Sequence, residues 1–249
     1  MQFDALYDDP VMASFYDLEN GWSSSDAVCL SLAAKSDSVL DFGCGTGTLA
    51  CAIATRHGIS VTGVDPAEAM LDLARSKSGS EHVHWVRGDS RTVRLDRRFD
   101  LIVMTGHAFQ VFLSDDDRMN VLANAARHLA DGGRLVFDSR NPARKEWLEW
   151  NREESMRQIM HPEHGETMAW NDVDVDERTG IVTYGTHYRP CASDLTYSAH
   201  SSIAFPGRDL IAAQIDRAGL QVERWLGDWS GTPYEPDSGE IIPMCRHQS

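Results

Sequence analysis

Positive charge is scarce in this chain: 23 lysines and arginines stand against 38 acids, leaving a net charge of −15. No block of Lys or Arg interleaves with aromatic residues, so a surface that tracks nucleic-acid phosphates is not expected and nucleic acid is not expected as a partner. Cysteine is sparse as well. Cys29, Cys44, Cys51, Cys191 and Cys245 form an odd set without a Cys-x-x-Cys pair, which argues against a disulfide framework and a structural zinc site and suits a reduced compartment. Apolar runs stay far below the roughly 20 residues that span a bilayer, and acids occupy the N-terminus where a signal peptide needs positive charge. The expectation is a cytoplasmic protein with no membrane partner. Internal repeats, low-complexity tracts and Gly/Ser linkers are also missing. With 249 residues and 42% apolar content, the chain has ample material for one large α/β domain.

What is present is concentrated in Ser38-Val-Leu-Asp-Phe-Gly-Cys-Gly-Thr-Gly-Thr-Leu-Ala50. An apolar strand ending in Asp41 runs into three glycines at alternate positions, which can adopt backbone angles closed to other residues and let a ligand approach the main chain. The helix that follows offers unpaired N–H groups to polar ligand atoms. A dinucleotide fingerprint needs Gly-x-Gly-x-x-Gly, but counting from Gly43 puts Thr48 where the third glycine belongs. A nicotinamide-dependent oxidoreductase is therefore the disfavoured alternative.

From Ser38 onward, β-rich runs alternate with helical patterns, predicting a mostly parallel sheet covered on both faces. Strands are expected at 38–42, 59–64, 83–86, 99–104 and 134–138. A helix with Met119, Val121, Leu122, Ala125 and Leu129 starts at the Ser114/Asp117 capping signal. After Pro142 the pattern changes to a helical piece at 145–150 and antiparallel strands at about 167–175, 180–189 and 195–205. Parallel α/β order resumes with a helix around 210–218 and strands at 221–226 and 240–245, the last marked by Pro243 as an edge strand or bulge.

The spelling Val39-Leu-Asp-Phe-Gly-Cys-Gly-Thr-Gly47 resembles the first motif of class I S-adenosylmethionine-dependent methyltransferases of the small-molecule type. The resemblance implies a doubly wound, mostly parallel seven-stranded Rossmann-like sheet with an antiparallel β insert after the fifth strand. The layout is then one methyltransferase domain over 1–249, an N-terminal helical cap over 1–37 and a β-rich insert over 151–205. It further implies S-adenosylmethionine as cofactor, with Asp41, Gly43, Cys44, Gly45, Thr46 and Gly47 around its methionine end and ribose.

Asp65, 18 positions past Gly47, matches the family's acid that accepts from both ribose hydroxyls. A carboxylate suits two vicinal donors, and Asp65 before Pro66 equally suits a helix cap. Gly88, Asp89 and Ser90 match the position that receives the adenine amino group, or else form a turn. Met70 serves as an apolar wall for the nucleoside or as core. Thr105, Gly106 and His107 follow the fourth strand and border the reacting methyl in the family. His107 is the candidate base there, or a loop-structuring histidine. Tyr7 and Tyr16 resemble cap tyrosines of small-molecule N-methyltransferases that touch the cofactor or cover the methyl, which makes Tyr16 a second catalytic candidate.

The aromatic insert is expected to be packing, a homodimer contact or a lid, with Tyr184 and Tyr188 on one face and His187 and Arg189 on the other. Gly227 to Pro233 reads as a loop at the pocket rim. Methyl transfer from a sulfonium expels a neutral thioether, so no catalytic metal is expected and a base is needed only for a protonated acceptor. The function implied is methyl transfer to nitrogen or oxygen of a small molecule. A catalytically silent S-adenosylmethionine-binding protein is the other alternative.

Overall fold

The computed structural model describes residues 5–248, so the first four residues of the expected cap lie outside the described residues. The main sheet is built from β1 (Ser38–Phe42), β2 (Ser60–Asp65), β3 (Val83–Arg87), β4 (Phe99–Met104) and β5 (Leu129–Phe137). It is completed by the short β6 (Ser139–Arg140), β11 (Leu220–Leu226) and β12 (Glu240–His247). The path runs β11-β12-β5-β4-β1-β2-β3, with β6 also pairing β12. β1 pairs in parallel with both β2 and β4, and β12 is antiparallel to β5 and β11. Every residue of β1 is buried, as a central parallel strand covered on both faces requires.

Helices close each face. On one side α6 (Asp115–His128) and α8 (Arg208–Arg217) bring Val121, Leu122, Ala125, Ile211 and Ile215 onto Leu40, Ile102 and Leu135. On the other, α3 (Ser24–Ala33) and α4 (Thr48–His57) set Cys29, Leu30, Ala50 and Ile53 against Val39, Val61 and Val103. Helix α6 ends at His128, one residue before the expected Leu129, which is extended and begins β5. Among the described residues no helix is long and apolar enough to cross a membrane.

Pro243 does not mark an edge. Its strand β12 sits between β11 and β5, and Pro243 pairs with Trp225 while the bulge lies on β11, between Val222 and Arg224. Lacking an N–H, Pro243 cannot complete the ladder on its other side. The antiparallel pairing accordingly breaks there, resuming as Ile241↔Ser139 after Met244↔Val136. One strand is thereby split into β5 and β6 around Asp138.

A second, antiparallel sheet follows β6 in the order β10-β9-β8-β7. Its strands are β7 (Arg157–His161), β8 (Gly165–Asp176), β9 (Ile181–Pro190) and β10 (Tyr197–Ile203), preceded by the single-turn α7 (Arg152–Ser155). β7 was not anticipated from sequence. The expected helical piece before it is a pair of 3₁₀ turns, Pro142–Arg144 and Glu146–Glu149.

One face of this sheet packs on α1 (Ala5–Asp8) and α2 (Pro10–Glu19), where Leu6, Met12 and Phe15 meet Ala169, Tyr188 and Ala199. Phe15 and Tyr188 stack at 4.1 Å and 7°, an aromatic pair worth about 0.5–1.5 kcal/mol beyond its buried area. The opposite side of the N-terminal helices meets α5 (Glu68–Ser76) through Ala13, Met70 and Tyr16. The N-terminal helices are thus clamped between the insert and the Rossmann-like layer.

Candidate active site

The strands β1, β2, β4 and β5 end at one edge of the sheet, and three of those ends carry an acid: Asp41, Asp65 and Asp138. Next to them the order reverses between β1 and β4, the place where open α/β sheets bind ligands. A cleft of ≈ 1370 Å³ opens there, walled by the strand ends, α2 and the insert. That exceeds the roughly 300–1,000 Å³ of pockets for one ligand, so two ligands have room together.

Of the sequence-derived cofactor residues, Tyr7, Tyr16, Asp41, Gly43, Cys44, Gly45, Thr46, Asp65, Pro66, Met70, Asp89, Ser90, Thr105 and Gly106 line this cleft, as does His107. Gly47 and Gly88 do not line it. Gly47 has φ +74, and a Cβ there would lie 2.4 Å from the Trp85 ring and 2.8 Å from the Ala74 methyl. Its missing side chain lets the glycine loop close onto α5 and β3. Gly45 has φ +51 with no atom within 4 Å of a built Cβ, so the space beside it belongs to the cleft.

Asp65 is 7% exposed and accepts from the Gly45 N–H at 2.9 Å and the Ala67 N–H at 2.9 Å. It braces the glycine loop and the following turn, while Ala67 itself is the N-cap of α5. Burial raises the Asp65 carboxyl to about 6 despite those two donors. Asp41 is 2% exposed, and burial, then Asp26, then Asp65 push its carboxyl up to about 8. A poorly compensated acid facing a cleft favours a cationic ligand group.

Thr46 donates to Asp17 of α2 at 2.5 Å, and Lys77 joins Asp17 at 2.5 Å, Thr46 at 3.0 Å and Thr48 at 2.7 Å. This clasp ties the N-terminal helix to the glycine loop. Asp89 is gripped by the Arg91 side chain and backbone N–H, and Arg91 also pairs with Asp117.

His107 sits in the left-handed region at φ +62, a cost non-glycine residues bear at functional loops. Its N–H donates to Asp138 at 2.8 Å, and its Nε2 lies 2.9 Å from Glu240 Oε1. The other Glu240 oxygen, Oε2, is buried without a hydrogen-bond partner. Asp138, 1% exposed, also accepts from the Trp229 indole at 3.3 Å, and burial raises its carboxyl.

Across the cleft, Tyr7 and Tyr16 meet edge to face at 5.8 Å and 77°, and the Tyr7 and Tyr184 hydroxyls lie 3.1 Å apart. The two cap tyrosines meet across a helix corner and do not share one helix. Asp9 caps the N–H groups of Val11 and Met12 where Pro10 starts α2. Burial, followed by Tyr184 and Asp65, pushes the Tyr16 phenol up to about 12, which keeps it protonated. Glu240, Asp138 and Trp229 were missed from sequence. Asp138 repeats the strand-end acid seen at Asp41 and Asp65, whereas no local signal marks Glu240.

The fold is a Rossmann-like α/β sheet with strand-end acids gathered around a glycine loop. Residues 39–133 match the methyltransferase domain family. The cypemycin N-terminal methyltransferase of a Streptomyces species is 29% identical over 211 residues, covering 84% of this chain and 83% of that one. The sugar N-methyltransferase KedS8 of a Streptoalloteichus species superposes with TM-score 0.77 at 18% identity, over 100% of this chain and 96% of that one. CalS10, an amino pentose methyltransferase from Micromonospora echinaspora with S-adenosylmethionine bound, gives 0.72 at 22% identity over 98% of each. Together these likenesses support a class I S-adenosylmethionine-dependent methyltransferase.

Proposed function

We propose that the chain methylates the nitrogen of a small-molecule amine. The observation that carries this reading is Glu240, whose buried, unpartnered Oε2 borders the cleft beside His107. An unpartnered carboxylate oxygen in a low-dielectric wall attracts an ammonium far more than it attracts a neutral hydroxyl.

The chemistry of the cleft suits S-adenosylmethionine: a glycine open to close approach at Gly45, a braced carboxylate at Asp65 for vicinal hydroxyls, and an acid at Asp41 for an ammonium. When bound, that cofactor supplies a methyl on a sulfonium whose leaving group is a neutral thioether. In this reading Pro66 and Met70 flank the nucleoside, and Ser90 is better placed for the adenine than Asp89, whose oxygens Arg91 already occupies.

Glu240 draws in the ammonium of the acceptor, and His107 takes the proton that must leave before the nitrogen lone pair can react. Tyr16 keeps its proton and donates a hydrogen bond, while Tyr7, Tyr184 and Trp150 exclude water from above. The name of KedS8, a sugar N-methyltransferase, and that of the cypemycin enzyme, an N-terminal methyltransferase, support an amine acceptor.

The test is turnover, followed by mass spectrometry, against amino sugars, peptide N-terminal amines and phenols. Amines are expected to accept the methyl. Glu240→Gln should raise the amine KM and leave affinity for S-adenosylhomocysteine unchanged, and His107→Asn should lower kcat by roughly 10²- to 10⁴-fold. Turnover confined to phenols would overturn the nitrogen reading. Tight cofactor-product binding without turnover of any acceptor would point to the catalytically silent alternative.

A further inference from the structure

The second sheet carries a side-chain cluster to which the proposed transfer step assigns no role, although its His200 reaches the lining of the cleft. Asp172 of β8, Gly185 of β9 and His200 of β10 form one cross-strand row, since Gly185 pairs with both of the others. His187 lies two residues along β9, on the same face as the row and opposite the face that packs on the N-terminal helices. The ligand-capable atoms of Asp172, His187 and His200 all lie within 4.8 Å of one another.

Gly185 makes this convergence possible. A Cβ there would lie 2.2 Å from Asp172 Oδ1 and 2.8 Å from His187 Nε2. Side chains from the two outer strands therefore lean over a gap left on the middle one. The Gly185 N–H donates to Asp172 Oδ1 at 3.1 Å and holds the carboxylate over the strand.

His187 Nε2 is 2.9 Å from Asp172 Oδ2, and His200 Nε2 is 4.0 Å from Asp172 Oδ1. The Ser198 hydroxyl lies 2.8 Å from His187 Nδ1, fixing the ring so that Nε2 faces the cluster. Trp170 stacks on the same ring at 5.2 Å and 19°. His187 is 12% exposed, whereas Asp172 and His200 are 57% and 60% exposed.

We infer that Asp172, His187 and His200 bind a divalent metal ion of the zinc type. Two imidazoles and one carboxylate with an open fourth position form a donor set that Zn²⁺ accepts. Bonds of roughly 2.0–2.2 Å place ligand atoms about 3.3 Å apart in a tetrahedron, a spacing that rotation of the exposed His200 supplies. Ser198 is the outer partner that orients a metal-bound histidine. The ion would tie β8, β9 and β10 together, the three strands that hold Tyr184 and Tyr188 over the cleft. The transfer step as proposed needs no group from it, and the inference does not depend on the acceptor being an amine.

The test is calorimetric titration of the chelator-treated full chain with ZnCl₂, alongside His200→Ala, Ser198→Ala and the double variant His187→Ala/His200→Ala. Retained S-adenosylhomocysteine binding serves as the control for folding. The wild-type chain should bind one more zinc ion than the double variant. Ser198→Ala should weaken that site by roughly 10- to 100-fold, and His200→Ala by more. Cobalt substituted at the site should give the intense visible bands of a four-coordinate ion, lost in His200→Ala. Indistinguishable isotherms for wild type and the double variant would overturn the assignment. So would a site that His200→Ala leaves intact, which would place the zinc on other histidines or cysteines.

Discussion

Replacing Asp65 by alanine separates two duties that one carboxylate performs. A carboxylate offers about four lone-pair positions. Two are taken by the Gly45 and Ala67 N–H groups at 2.9 Å each, leaving two for vicinal ribose hydroxyls. Hydrogen bonds to a charged group contribute roughly 1.5–3 kcal/mol, so Asp65→Ala should weaken S-adenosylhomocysteine binding by about 10- to 150-fold. Loosening of the Gly45 loop would weaken binding as well, and a cycle with the 2′-deoxy analogue distinguishes the two. By calorimetry, removing the 2′-hydroxyl should cost affinity in the wild type and almost none in Asp65→Ala. The same loss in both proteins would refute a direct ribose bond and leave Asp65 as a loop brace. Proton linkage gives a second check. Burial holds the free carboxyl near 6, and hydroxyl donors favour the ionised form. Wild-type affinity should therefore fall as pH drops through about 6, and the alanine variant should lack that fall.

The glycines of the loop should divide by role: Gly47→Ala drives a Cβ into Trp85 and Ala74 and should lower chemical-denaturation stability by roughly 1–3 kcal/mol. Gly45→Ala meets no protein atom and should cost about 1–2 kcal/mol of left-handed strain, with cofactor affinity falling far more than stability. Equal losses of both kinds in the two variants would contradict the division. Asp41 has its folded carboxyl near 8, above its unfolded value, so the native state holds an extra proton and loses stability as pH rises toward 8. Asp41→Asn should therefore raise the thermal midpoint of the ligand-free protein more at pH 9 than at pH 5, while weakening cofactor binding; scanning calorimetry at the two pH values decides it.

The elements legible in the sequence were those whose cause is local. The β1 run, its glycine loop and the Asp65-Pro66 turn each complete their geometry within a few residues, so the glycine-loop side of the cleft could be read from spelling. β7 could not, because Arg157–His161 alternates without a β-rich core and takes its place from pairing with β8. Pro243 misled for a related reason: a missing N–H forbids one ladder bond, and the sheet met that by splitting the neighbouring strand and keeping β12 internal. Tyr7 and Tyr16 came together through the corner at Asp9, which helical spacing does not encode. Glu240 reaches His107 from the last strand, and only the sheet order β4-β5-β12 brings them within 2.9 Å. Asp172, His187 and His200 escaped a search for metal ligands keyed to cysteine spacing because they converge across three strands.

The Asp17–Thr46–Lys77 clasp bears on the order of events in a catalytic cycle. Helix α2 supplies Tyr16 to the roof of the cleft and Asp17 to the loop beneath it. A roof hinged to its own floor cannot lift for the exchange of the deeper ligand while the shallower one is seated. The expected order, on the proposed function, is the nucleoside first and the acceptor second, with release in reverse. Steady-state inhibition by S-adenosylhomocysteine would then be competitive toward S-adenosylmethionine and non-competitive toward the acceptor, and competition with the acceptor instead would contradict that order.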